Sequence, residues 1–85
     1  MVLTREEVDE VVAVRALLRS GEARRLREAA QLSRAELAAR VGVHEVTLAK
    51  WECGSRVPRA ASALALGGAL IEVLDVSAAM DGGCR

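Results

Sequence analysis

One histidine, two cysteines and a scatter of carboxylates are the side chains in these 85 residues best suited to acid–base, nucleophilic or metal chemistry, and their spacing supports none of it. His44 stands beside Glu45 with no nucleophile at a defined spacing. Cys53, Cys84 and His44 are too few and too scattered for a tetrahedral zinc site. Gly67-Gly68 lies in an apolar stretch with no lysine following, so it is not a phosphate loop. No enzyme, no cofactor and no small-molecule ligand are expected. The arginines are more informative. The formal net charge is zero, but from Arg24 to Arg59 there are eight basic residues (Arg24, Arg25, Arg27, Arg34, Arg40, Lys50, Arg56, Arg59) against four acidic ones (Glu28, Glu36, Glu45, Glu52), a local excess of four. The first ten residues instead carry Glu6, Glu7, Asp9 and Glu10 against Arg5 alone. Such segregation is expected where one face meets phosphate and another does not, and overall neutrality implies weak non-specific binding.

The stretch from Leu32 to Gly54, LSRAELAARVGVHEVTLAKWECG, shows what must position these groups. Ser33 with Glu36 three residues on forms a capping box. Leu37 and Val41 make an apolar stripe at helical spacing, and Ala38 keeps one side of that helix thin. Gly42 supplies the left-handed residue that ends it. Val43 fills the corner, His44 sits where a cap is needed, and Glu45–Cys53 forms a second helix that buries Leu48 and Trp51 and ends at Gly54. Two short helices crossing steeply at close range are a helix-turn-helix, whose second helix can enter a DNA major groove.

At these residues the chain resembles the lambda-repressor-like, Cro/Xre-type helix-turn-helix family, from about Glu22 to about Leu74. The resemblance rests on L-R-E-A-A at 26–30, L-S-R-A-E-L-A at 32–38, V-G-V at 41–43 and T-L-A-K-W-E-C-G at 47–54, with Pro58 after it. The departures are His44, where the family usually has a short hydroxyl cap, and a small, cysteine-bearing end to the second helix. The resemblance implies that Glu45, Val46, Thr47 and Lys50 face the base edges. Lys50 can donate to guanine, Glu45 can accept from cytosine N4 and Val46 can touch a thymine methyl. Quieter roles compete: Glu45 suits the positive end of a helix dipole, Lys50 suits a phosphate, and Thr47 suits phosphate or packing better than base reading. The resemblance further implies phosphate contacts from Arg34, His44, Arg56 and Arg59, and a structural salt bridge between Arg27 and Glu52. The implied partner is double-stranded DNA, bound by a homodimer. The implied function is a sequence-specific transcription regulator, a repressor or phage Cro-like switch. An antitoxin or adaptor whose main role is protein binding is the alternative from another class.

The rest of the chain completes an all-α expectation: a five-helix lambda-repressor-like bundle with an extra N-terminal helix. Thr4 and Glu7 form a capping box, with Leu3 and Val8 at staple positions, and open a helix over 4–20 whose apolar side is Val8, Val11, Val12, Leu18 and Ala16. This helix is either a lid on the core or a contact surface for a partner. A second helix is expected over 22–31, burying Ala23, Leu26 and Ala30, and a last one over 59–74. There Gly67-Gly68 costs roughly 2 kcal/mol of helix propensity and marks either a kink or a close approach. Residues 1–80 make one domain and 81–85 a disordered tail. A domain of this size buries roughly 60–65% of its unfolded surface. No apolar run reaches membrane-spanning length and the acidic start is unlike a signal peptide, so a cytoplasmic, DNA-associated protein with two free thiols is expected.

Overall fold

The computed structural model describes the backbone of residues 2–83 and the side chains of residues 2–75. Five helices follow one another, α1 (Arg5–Ser20), α2 (Glu22–Ala29), α3 (Arg34–Val41), α4 (Glu45–Cys53) and α5 (Ala60–Gly83), and the described residues contain no strand. Local chemistry explains most of the boundaries. Thr4 Oγ1 accepts from the Glu7 amide while Glu7 Oε1 accepts from the Thr4 amide, at 3.1 and 2.9 Å. Ser33 and Glu36 repeat the arrangement at the start of α3, at 3.1 and 2.8 Å. Each box satisfies two amides that the first helical turn leaves without partners.

The bundle closes around Val11, Val14 and Leu18 of α1, Ala23 of α2, Leu37 and Ala38 of α3, Leu48 and Trp51 of α4, and Ala63, Leu66, Ala69 and Leu70 of α5. Leu37, Leu48 and Leu66 are the largest side chains fully excluded from water. The α1 helix is therefore part of the core rather than an appendage. Its buried stripe is Val11, Val14 and Leu18, at i, i+3 and i+7, and Val8 and Val12 of the expected stripe are exposed. Four valines crowded between Val8 and Val14 supply two stripes at helical spacing. Packing against α5 above all, and against α2 and α4, selects between them.

Further expectations are corrected, and the choice between a kink and a close approach at Gly67-Gly68 is resolved. The α2 helix ends at Ala29 rather than residue 31: Gln31 takes a left-handed φ of 60°, and the Leu32 amide turns back to the Arg27 carbonyl at 3.1 Å. Ala30, beyond the helix end, is only half-buried, as is Leu26, which lines an open cavity. The last helix does not stop at Leu74 but stays helical to Gly83, because Ser77-Ala78-Ala79-Met80 contains nothing to break it before the glycines. Asp81–Gly83 of the expected disordered tail thus have helical backbone, and Cys84 and Arg85 lie outside the described residues. Gly67 is a close approach. A β-carbon there would stand 3.0 Å from Val14 Cγ2 and 3.1 Å from Glu10 Oε1, whereas one at Gly68 would meet nothing within 4 Å. Beside this crossing an open apolar cavity of about 190 Å³ lies between α1 and α5, edged by Glu10 and lined by Leu17, Leu26, Leu70, Ile71 and Leu74.

Candidate nucleic-acid interface

The turn between α3 and α4 is three residues long and depends on Gly42, whose φ of 88° an L side chain rarely adopts. The amides of Gly42 and Val43 both return to the Ala38 carbonyl, at 2.8 and 3.0 Å. The next residue, His44, caps α4 with its ring: Nδ1 accepts from the Val46 amide at 3.1 Å. A nitrogen that accepts carries no proton, so this cap exists only while Nδ1 is unprotonated.

One side of α4 is anchored by Leu48 and Trp51 in the core. The opposite side places Val46, Lys50 and Cys53 at i, i+4 and i+7, all exposed, with exposed Glu45 beside them. Val46 keeps 51% of its surface open although it is a large apolar residue. Thr47 stands apart from this ridge, half-buried, with its amide bonded to the His44 carbonyl at 3.0 Å.

Ion pairing sorts the eight cations between Arg24 and Arg59. Arg24 pairs with Glu28 and Arg25 with Glu22 on the surface of α2, at 3.2 and 2.9 Å. Arg27 is buried and committed to structure. Its Nε and Nη2 donate to the two oxygens of Glu52 at 2.7 and 3.0 Å, and its Nη1 donates to the Leu32 carbonyl at 2.8 Å. The hydrogen bond and the charge of Glu52 outweigh the desolvation of the guanidinium and raise its pKa further above its already high ordinary value. Arg34, Arg40, Lys50, Arg56 and Arg59 are exposed and form no ion pair among the described residues. Arg34 opens α3, where the amide end of a helix also favours an anion. Its charge reaches Cys53: hydrogen bonds with Ser55 first, then Arg34, draw the exposed thiol below its usual range.

Arg56 and Arg59 are exposed in the loop after α4. That loop is held from an unexpected side. Arg15 of α1 donates through Nε and Nη2 to the Pro58 carbonyl, at 3.1 and 2.9 Å. The sequence carries one sign of this bond: Arg15 has no acid at i±3 or i±4, so no local partner competes for it. The third bond of Arg27, to the Leu32 carbonyl, has no such sign, since it depends on the left-handed turn at Gln31.

Among the described residues, no helix is long and apolar enough to cross a membrane. Comparison with known proteins finds a helix-turn-helix domain family matching residues 20–80, which takes in α2 to α5 up to Met80 and leaves out all of α1 but its last residue. No curated protein and no solved structure matches the chain. With the two helices, their glycine turn and a match over most of its length, the chain belongs to the helix-turn-helix domain family.

Proposed function

We propose that this protein is a sequence-specific DNA-binding regulator of transcription, a repressor of the compact Cro-like kind, which works in the cytoplasm with the DNA it controls. The observation that carries the reading is the outward ridge of α4. It pairs a donor, Lys50, with an acceptor, Glu45, and an exposed apolar contact, Val46, on a helix whose other side is locked into the core. In a major groove these would meet guanine, cytosine N4 and a thymine methyl. Thr47, half-buried at the edge, joins them at most through its hydroxyl. Arg34, Arg56 and Arg59, together with His44 at the turn, hold the phosphates on either side, which sets position rather than sequence.

A single recognition helix spans only a few base pairs, too little to specify one site, so the reading includes two copies on a two-fold operator. The cavity between α1 and α5, where Ile71 is 58% exposed, supports a contact between them. The same groove supports the alternative, an antitoxin or adaptor that chiefly binds protein. Selection of bound sequences from a random DNA pool separates them. A regulator returns a motif with two half-sites about one helical turn apart; a protein-binding adaptor returns none.

A further inference from the structure

The bond between Arg15 and Pro58 joins residues 43 apart and links the one helix outside the family match to the loop that follows the recognition helix. Arg15 is half-buried, and its charged fork is spent on a neutral carbonyl rather than on a carboxylate. Pro58 is buried and has no amide hydrogen, so its carbonyl is the one backbone group it can offer. The other hydrogen bonds of the loop lie near its start. The amides of Ser55 and Arg56 return to the Lys50 carbonyl at 3.0 and 3.3 Å, but Val57 and Pro58 make no backbone–backbone bond among the described residues. Arg56 precedes the clamped residue by two positions and Arg59 follows it directly.

From this geometry we infer that Arg15 is a positioning residue for DNA binding: by holding the Pro58 carbonyl in two charge-assisted bonds it sets Arg56 and Arg59 where they meet the phosphate backbone. The inference rests on the DNA-binding reading above. A cation held in place before binding loses less freedom on contact than one carried by a loose loop, and two donors fixing one oxygen restrict the loop more than one would. In this way α1 acts on the interface without touching DNA.

Two measurements on the full chain test it. The first needs no DNA. Trypsin cuts after Arg56 and Arg59, and Arg15→Met, which keeps the stem but loses both bonds, should speed cleavage there several-fold relative to cuts elsewhere, with Arg15→Lys intermediate. The second is the salt dependence of affinity for the selected site. Two lost phosphate contacts reduce the slope by about 1.8, which shrinks the fall in affinity between about 50 and 200 mM salt by roughly tenfold. Arg15→Met should move toward that limit with an unchanged base motif, and should have no further effect in an Arg56→Ala/Arg59→Ala background. Unchanged cleavage in Arg15→Met and Arg15→Lys overturns the clamp. Faster cleavage with an unaltered slope overturns its role in binding. An equal loss of slope in the Arg56→Ala/Arg59→Ala background overturns it too, since Arg15 would then touch phosphate itself. A wild-type chain that binds no DNA defeats the functional reading and this role together, while the cleavage comparison still decides the clamp.

Discussion

The Arg27 guanidinium and the Glu52 carboxylate meet in two parallel bonds of 2.7 and 3.0 Å, with the side chains only 9% and 4% exposed. Through them α2 holds the last turn of α4, so the outward ridge of that helix is fixed at its far end by charge as well as by Leu48 and Trp51. Removing one partner of a buried pair strands the other, at a cost of about 3–5 kcal/mol, while an exposed pair contributes under about 1. Arg27→Met and Glu52→Gln should each lower Tm by 10 °C or more, taking about 4–8 °C per kcal/mol for a domain of this size. The double variant should lose much less than the two losses combined. Additive, small shifts would show that the pair does not couple α2 to α4.

Gly67 and Gly68 are neighbours in one helix and should respond to alanine with opposite signs. At Gly68 the new methyl enters open space, and relief from glycine's backbone entropy stabilises by about 0.5–1 kcal/mol. At Gly67 it presses on Val14, a buried β-branched side chain with little freedom to turn. The net effect there is a loss of about 1 kcal/mol or more. Denaturant midpoints decide it; equal gains at both positions would mean that α1 and α5 have slack where they cross.

Much of this architecture is local, and local chemistry is readable. Thr4 and Glu7, Ser33 and Glu36, and Gly42 between Val41 and Val43 act within a few residues of themselves, so caps and turn follow from spacing alone. What stayed hidden depends on distant partners. The inward stripe of α1 is selected above all by α5, and Arg15 finds Pro58 only once both are folded. The early end of α2 turns on Gln31, a residue type that rarely signals a left-handed φ. Within the candidate site, the outward placement of Glu45, Val46 and Lys50 was legible because one helix carries all three. The sorting of arginines into paired and unpaired was not, because it depends on which carboxylates fold beside them.

Acid should weaken the start of α3 in a predictable direction. The Ser33 amide, then its hydroxyl, hold the Glu36 carboxyl below the usual carboxylate range. A group whose pKa is lower in the folded state adds stability above its unfolded value, and that stability is lost as pH falls through the folded one. The melting temperature of the wild type should therefore exceed that of Glu36→Gln near neutral pH, and the gap should close once the carboxylate is protonated. A gap unchanged down to pH 2 would show that the ionised carboxylate is not what supports this cap. Ser33→Ala removes the other half of the box and should cost about 0.5–2 kcal/mol at neutral pH.

The central claim is that α4 reads bases, and Lys50 tests it most directly because it is exposed, unpaired among the described residues and centred on the ridge. The decisive measurement is the motif and affinity of Lys50→Ala against wild type, selected from one random DNA pool at one salt concentration. The account predicts a loss of about 1–3 kcal/mol and relaxed choice at one or two base pairs, with the rest of the motif intact. An unchanged motif at unchanged affinity would contradict it and remove α4 from the major groove.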